Sequence, residues 1–126
     1  MAWGDHPDRC PIARAAGVVG DVWTLLIVRD LCEGRRRFNG LLASLEGISS
    51  RTLSQRLKML EGAGIVERER PGTSAQRVEY ALTEKGRALL PLVEDLRRFG
   101  EEWLPRNPAG ERESTEEAPD KAASER

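Results

Sequence analysis

The chain has little of the chemistry that catalysis or metal binding requires. Its 126 residues include one histidine, His6, and two cysteines, Cys10 and Cys32. No Ser/His/Asp constellation and no glycine-rich phosphate loop is visible, so we do not expect an enzyme. Together, His6, Cys10 and Cys32 offer few metal ligands and no recognised ligand spacing, which disfavours a metal site. No cofactor is expected.

Long apolar runs are also missing. The richest one, "VWTLLIV", is much shorter than the roughly 20 residues that a membrane-spanning helix needs. The first residues, "MAWGDHPDRC", contain no apolar segment of the kind found in a secretion signal. We therefore expect a cytoplasmic protein with no membrane partner. In that compartment the cysteines are expected to be thiols and not a structural disulfide.

Charge of one sign is not in overall excess, since the formal net charge is −1. That average hides two regions, because residues 35–87 contain 11 basic and 6 acidic side chains, whereas residues 108–126 contain 3 and 6. The basic middle suits a polyanionic partner. The final segment, "NPAGERESTEEAPDKAASER", has no large apolar side chain. We expect a flexible arm over residues 1–9, one domain over residues 10–104 and a disordered acidic tail over residues 105–126.

Apolar periodicity predicts a mainly α fold with a small β-hairpin (α+β). Helices are predicted in "CPIARAAGVVG", "DVWTLLIVRDLCEG", "FNGLLASLEG" and "SSRTLSQRLKMLEGAG", with a short extended piece, "RRRF", before the third. The stretches "IVERER" and "RVEYALT" predict a hairpin whose link, "PGTSAQ", protrudes. A long last helix, "EKGRALLPLVEDLRRFGEEWL", is expected to be capped by Thr83 and bent at Pro91.

This order of elements predicts a winged helix-turn-helix. In the fourth helix, Leu53 and Leu57 belong to an apolar stripe, and Arg51, Gln55 and Lys58 lie on the opposite side. A polar helix face taken alone is more often a solvated face than a binding site. The hairpin, the basic middle and the helix order together favour a helix that enters the DNA major groove.

The residue types on that face match the requirements of DNA recognition. Arg51 can donate two hydrogen bonds to guanine, Gln55 can bond adenine, and Lys58 suits a phosphate. The helix N-terminus also attracts phosphate, and the hairpin link suits the minor groove or the adjacent backbone. The predicted DNA-binding residues are Arg37, Asn39, Ser49, Ser50, Arg51, Thr52, Ser54, Gln55, Arg56, Lys58, Arg70, Thr73, Ser74, Gln76 and Arg77.

The chain resembles the HxlR-type family of bacterial winged-helix transcriptional regulators, which is related to the MarR-type regulators. The matching stretches are "CPIARA", "GDVWTLLIVRDL", "GRRRFNGL", "LEGISSRTLSQRLKMLEGAGIVERE" and "RVEYALTEKGRALLPLVEDLRRFGEEW". The resemblance implies a homodimer that binds double-stranded DNA at a pseudo-palindromic operator, as a repressor or an activator. It also implies that the first and last helices form the dimer interface.

The last helix supports that implication independently of the resemblance. Leu89, Leu92, Leu96, Phe99 and Trp103 are spaced 3, 4, 3 and 4 residues apart, which is the pattern of a heptad seam. The predicted dimer-interface residues are Ile12, Ala15, Leu89, Leu92, Leu96, Phe99 and Trp103.

The "CP" dipeptide raises the question of regulation. In some members of the family that the chain resembles, a cysteine at this position responds to electrophiles or oxidants, so Cys10 is a candidate redox sensor. A helix N-terminus lowers a thiol pKa, and the short polar segment before Cys10 predicts access for solvent. The alternative is that Cys10 is a small packing residue. Cys32 is expected to pack inside the domain.

One other function class fits the same pattern of elements. A winged helix can serve only to bind other proteins. In that case duplex DNA would not compete with the protein partner, and Arg51→Ala would have no effect.

Overall fold

The structure, a computed structural model, describes residues 10–69 and 78–106. Predictions about His6, the N-terminal arm, the hairpin link and the tail from residue 107 onward lie outside these residues. The elements are α1 (Pro11–Val19), α2 (Val22–Leu31), β1 (Arg36–Arg37), α3 (Phe38–Ser44), α4 (Ser50–Gly62), β2 (Val66–Glu69), β3 (Glu79–Leu82), α5 (Glu84–Arg87) and α6 (Leu90–Trp103). The predicted fold class, mainly helical with a small antiparallel sheet, is confirmed.

The chain divides into two compact units, one up to Val93 and one from Glu94 onward. Within the described residues, the first unit contains all three strands and the helices α1 to α5, and the second begins with the last ten residues of α6. The core of the first unit is built from Ile27, Val28, Leu31, Leu41, Leu45, Ile48, Leu53, Leu57, Leu60, Ile65, Val66 and Leu82.

Side-chain caps are present at two of the helix boundaries, and the one at Thr83 was predicted. The Ser49 hydroxyl accepts a hydrogen bond from the Thr52 backbone N–H at 3.0 Å and caps α4. Thr83 caps α5 in the same way, accepting from the Gly86 N–H at 3.0 Å. In each case the side chain provides a partner for an N–H that the helix itself leaves unpaired.

The sheet has one more strand than the predicted hairpin. Its three antiparallel strands lie in the order β1-β3-β2, and the "RRRF" piece supplies β1. Arg36 pairs with Tyr80, and Val66 pairs with Leu82. Since β1 directly precedes α3, this pairing attaches the start of α3 to the stem of the hairpin.

The last predicted helix is broken and not merely bent at Pro91. The helix stops at Arg87, turns through Ala88 and Leu89, and resumes at Leu90. Proline has no N–H and its ring crowds the carbonyl four residues earlier, here that of Arg87, so an unbroken helix is disfavoured. Pro91 instead occupies the first turn of α6, where a missing N–H has no cost.

One glycine is required by a close approach of two segments. A Cβ at Gly86 would lie 2.2 Å from the Ile65 carbonyl oxygen. This contact packs the short helix α5 directly against the residue that leads into β2. The absence of a side chain at Gly86 therefore allows the backbone of α5 to approach the residue before β2 closely.

Among the described residues, no single helix is both long and apolar enough to cross a membrane. The pair α1 and α2 has the necessary length and composition only when the two are taken together, and they are bent by 79°.

Candidate nucleic-acid interface

The helix α4 separates apolar and polar side chains as its sequence predicts. Leu53, Leu57 and Leu60 are fully buried in the core. Arg51, Gln55 and Lys58 are exposed on the opposite side, which we call the recognition face. The leucines hold the helix to the domain, so the recognition face is presented to solvent on a fixed support.

The N-terminal end of α4 favours a negatively charged ligand. Its first turn contains no acidic residue, and the first N–H groups of any helix carry partial positive charge. Ser49 uses its hydroxyl in the cap and also donates to the Thr52 hydroxyl at 3.0 Å. Ser50 and Ser54 are exposed, so their hydroxyl groups lie where a phosphate could be bonded.

The basic residues of the middle region are of two kinds. Arg35 forms an ion pair with Glu69, and Arg68 lies 3.9 Å from Glu61, so internal carboxylates offset part of the positive charge. Within residues 10–69 and 78–106, the side chains of Arg37, Arg51 and Lys58 form no ion pair. Arg36, Lys85 and Arg87 also form no ion pair within these ranges, so the recognition face and the start of α3 carry part of the uncompensated charge of the middle region.

The start of α3 lies beside the hairpin. Arg37 and Asn39 line a shallow recess together with Phe38, Val78 and Tyr80. Val78 is the first described residue after the hairpin link. The other predicted wing residues, Arg70, Thr73, Ser74, Gln76 and Arg77, lie outside the described residues.

Arg56 differs from the other basic residues of α4. Its guanidinium group makes two hydrogen bonds to Asp21, one from Nε to Oδ2 at 2.9 Å and one from Nη2 to Oδ1 at 3.2 Å. Asp21 is the N-cap of α2 and also accepts the Thr24 N–H at 3.0 Å. Both charged side chains are partly buried.

The electrostatics of this pair follow from its geometry. The hydrogen bond from Arg56 lowers the pKa of the Asp21 carboxyl below its usual value of 3.8, against the opposing effect of partial burial. The same bond raises the pKa of the Arg56 guanidinium. Both shifts favour the charged forms, so the pair is ionised at neutral pH.

Sequence reasoning missed the partner of Arg56. At about 100° per residue, Arg56 lies beside the leucine stripe and not opposite to it. That angle was a signal against grouping it with Arg51. Its pairing with Asp21, 35 residues away, depends on how α2 and α4 pack and is not visible in either segment alone.

The predicted dimer residues have different environments in the single chain. Leu92, Leu96, Phe99 and Trp103 are exposed on α6, with Trp103 at 66% of its full exposure. Ile12 and Ala15 are exposed on α1. Leu89 departs from the predicted seam, because it lies in the turn before α6 and packs against the core of the first unit.

The two cysteines have the opposite exposures from those expected. Cys10 is 5% exposed, and Cys32, at the C-cap of α2, is exposed. The expectations that solvent reaches Cys10 and that Cys32 packs inside the domain are therefore wrong. Cys10 precedes the first residue of α1, and its side chain makes no capping hydrogen bond. Over the described part of the chain there is no group of three or more potential metal ligands.

Comparison with known proteins places this geometry in a family. The profile of the HxlR-like helix-turn-helix proteins matches residues 18–108. The chain belongs to this family. Its relatives are HTH-type transcriptional regulators, so the chain is a helix-turn-helix transcriptional regulator and the resemblance seen in its sequence is confirmed.

Relatives and solved structures agree with this assignment. The HTH-type transcriptional regulator YvaP of Bacillus subtilis is 38% identical over 101 residues, which cover 79% of this chain and 94% of YvaP. The redox regulator HypR in its reduced form matches with a TM-score of 0.68 at 35% identity, over 72% of this chain and 90% of HypR. The reduced form of the regulator YodB from B. subtilis matches with a TM-score of 0.66 at 34% identity, over 75% of this chain and 93% of YodB.

Proposed function

We propose that this HxlR-like regulator acts as a homodimer that binds a pseudo-palindromic operator in double-stranded DNA through α4. The observation that supports this most is the recognition face. Arg51, Gln55 and Lys58 project from a helix whose opposite side is fully buried, and the first turn contains no carboxylate to repel phosphate. This combination is what entry into a major groove requires.

Within this proposal the side chains have distinct roles. Arg51 reads guanine and Gln55 reads adenine, since each can make two hydrogen bonds to the major-groove edge of that base. Lys58 and the hydroxyl groups near the N-terminus of α4 hold phosphates and set the register. Other predicted contacts, at the start of α3 and in the hairpin link, bind the minor groove or the adjacent backbone: Arg37, Asn39, Arg70, Thr73, Ser74, Gln76 and Arg77.

The proposed dimer follows from the exposed apolar side chains. Leu92, Leu96, Phe99 and Trp103 present a continuous seam on α6 that water covers in the single chain. Seams of this kind mark interaction surfaces. A second copy of the chain supplies an identical seam, and two-fold symmetry in the protein explains why a pseudo-palindromic operator is proposed. The dimer is proposed to work in the cytoplasm.

Regulation by oxidants is the finer part of the proposal. The reduced HypR structure is that of a redox regulator, and Cys10 directly precedes the first residue of α1. Because Cys10 is buried, an oxidant or electrophile reaches it only when the residues around it open. We therefore propose that modification of Cys10 accompanies a local rearrangement of the N-terminal region.

Selection of bound duplexes from a random DNA pool tests the function directly. The expected result is a two-fold repeat whose half-sites are separated by about one helical turn or a multiple of it. Recovery of sequences with no repeat would contradict the dimeric operator. Failure of the protein to retain any duplex would favour a protein-interaction module instead.

A further inference from the structure

The carboxylate of Asp21 accepts more hydrogen bonds than an N-cap needs. Its Oδ2 atom accepts from the Thr24 N–H at 3.0 Å, from the Thr24 hydroxyl at 3.2 Å and from Arg56 Nε at 2.9 Å. Its Oδ1 atom accepts from Arg56 Nη2 at 3.2 Å. Thr24 is itself fully buried, so its two hydrogen bonds fix the position of the carboxylate relative to α2 independently of the contact with Arg56 on α4.

The two-point contact with Arg56 constrains geometry more than a point charge would. A planar guanidinium that donates two parallel bonds to one carboxylate fixes both the distance and the rotation between the groups. The leucines that pack α4 onto the core provide most of the attraction, but apolar contacts are not directional. The pair therefore supplies an orientation for α4 that the leucine stripe does not.

A second carboxylate on the α2 side makes a single hydrogen bond to α3. Asp30 is 7% exposed, and its Oδ2 atom accepts a hydrogen bond from the Ser44 hydroxyl at 2.6 Å. Its Oδ1 atom accepts from Arg29 Nη2 at 2.8 Å. Thus Asp21, at the start of α2, bonds Arg56 of α4, and Asp30, near the end of α2, bonds Ser44, the last residue of α3.

From this arrangement we propose that Asp21 and Arg56 are positioning residues, which set the orientation of α4 relative to α2 and hence the fit of the recognition face to DNA bases. Arg56 acts through Asp21 and not by bonding a phosphate, and the single Ser44–Asp30 hydrogen bond also joins α3 to α2. This inference rests on the proposed DNA-binding function and replaces the prediction that Arg56 contacts DNA.

The substitution Asp21→Asn separates positioning from electrostatics. It removes a negative charge, which by charge alone strengthens binding to DNA. Asparagine retains the N-cap but has one acceptor oxygen instead of two, so the two-point contact with Arg56 is lost. Positioning predicts that affinity for the selected operator falls by about tenfold, within the range of couplings between contacting residues, while affinity for a scrambled duplex stays equal or rises.

A matched control is Glu33→Gln, which removes the same charge from an exposed residue. It should leave the ratio of operator to scrambled affinity at the wild-type value. If Asp21→Asn also leaves that ratio unchanged, the positioning role is wrong. Circular-dichroism melts whose midpoints lie above the assay temperature confirm that the variants compared are folded.

Arg56 variants test the same inference without altering the N-cap of α2. Arg56→Lys keeps the charge but not the two-point contact, so positioning predicts a loss of operator preference at an unchanged salt dependence. A direct phosphate contact predicts instead that Arg56→Gln lowers the slope of log K against log salt by about 0.9 and that Arg56→Lys is close to wild type. That second pattern would overturn the inference.

Combining the substitutions gives the final criterion. If Arg56 acts through Asp21, the double variant Asp21→Asn/Arg56→Gln loses no more operator preference than either single variant. Additive losses contradict the inference. A wild-type protein that binds no duplex at all overturns this inference together with the proposed function, whereas wild-type binding with an unaffected Asp21→Asn overturns this inference alone.

Discussion

At the scale of single residues, the roles proposed for the recognition face separate base reading from phosphate binding. We expect Arg51→Ala to weaken operator binding by about 1–3 kcal/mol and to relax the preference at one position of each half-site. We expect Lys58→Ala to weaken binding to all duplexes alike and to flatten the salt dependence, because a phosphate contact carries no base information. Mobility-shift titrations at several salt concentrations measure both effects. Unchanged binding by both variants would contradict the proposal that α4 contacts DNA.

The pair of Asp21 and Arg56 also predicts a dependence of stability on pH. The pKa of Asp21 is lowered in the folded chain by the bond from Arg56. A carboxyl with a depressed folded pKa stabilises the fold above its unfolded pKa, and that contribution is lost as the pH falls through the lower folded value. The difference in midpoint temperature between wild type and Asp21→Asn should therefore be constant near neutral pH and shrink below 3.8, the usual pKa of the group.

Calorimetric or circular-dichroism melts from neutral to acid pH give this difference. The partly exposed position of the pair keeps its effect small, since solvent screens such contacts. A difference that grows toward acid pH would contradict a lowered pKa of Asp21 in the folded chain.

Cysteine access is a third property that single residues determine. Cys32 is exposed and Cys10 is 5% exposed, so we expect an alkylating reagent to modify Cys32 much faster than Cys10 in the folded protein. Mass spectrometry of peptides after timed alkylation measures the two rates. In a denaturant the two rates should approach each other, which serves as the control. Faster labelling of Cys10 in the native protein would show that the region around it opens readily.

At the scale of elements, the junction of α5 and β2 depends on Gly86. A Cβ there would lie 2.2 Å from the Ile65 carbonyl oxygen, so Gly86→Ala forces these backbone segments apart. We expect a loss of about 1–3 kcal/mol in unfolding free energy, the range found for overpacked cores. Gly40→Ala is the control, because a Cβ at that helical position meets nothing within 4 Å. Urea titrations that give equal stabilities for the two variants would contradict the close approach.

Local patterns account for those elements whose signals lie within one segment. The leucines of α4, the cap at Thr83 and the order of elements could all be predicted, because helical periodicity and capping are set by neighbouring residues. At Pro91 the sequence predicts only a bend, whereas the helix breaks. Whether a helix bends or restarts depends on the packing of both sides, and Leu89 turns toward the core at this point.

Contacts between distant segments are what the sequence left undetermined. The pairing of Arg56 with Asp21 joins residues 35 positions apart. The burial of Cys10 likewise depends on what covers it and not on the polarity of its neighbours in the chain. Both properties are consequences of tertiary packing, which residue type and local polarity do not show.

At the scale of the whole molecule, net charge is a poor guide to DNA binding. The chain carries a formal charge of −1, yet Arg37, Arg51 and Lys58 form no ion pair within the described ranges. Binding depends on the potential at the contacting face and not on the molecular average. Strong salt dependence is therefore expected despite the acidic pI of 5.9.

The exposed apolar side chains of α6 predict that the molecule assembles with a second copy. Four large side chains of its seam are more than one-third exposed, from Leu92 at 38% to Trp103 at 66%. Leaving this area in water is unfavourable, and pairing with the seam of a second copy removes it from solvent. We therefore expect a dimer at micromolar concentration, and sedimentation velocity gives its mass directly.

Leu96→Asp tests whether the α6 seam is the dimer interface. It places a charge within the seam, and burying an unpaired carboxylate costs more than the dimer contact gains, so sedimentation should show the mass of a monomer. Met59→Asp is the control, because it introduces the same charge at an exposed apolar residue of α4, outside the seam, and should remain dimeric. Removal of the residues after Pro108 should also leave the dimer intact. A Leu96→Asp protein that sediments as a dimer would place the interface elsewhere, and a wild-type protein that sediments as a monomer would contradict the dimer itself.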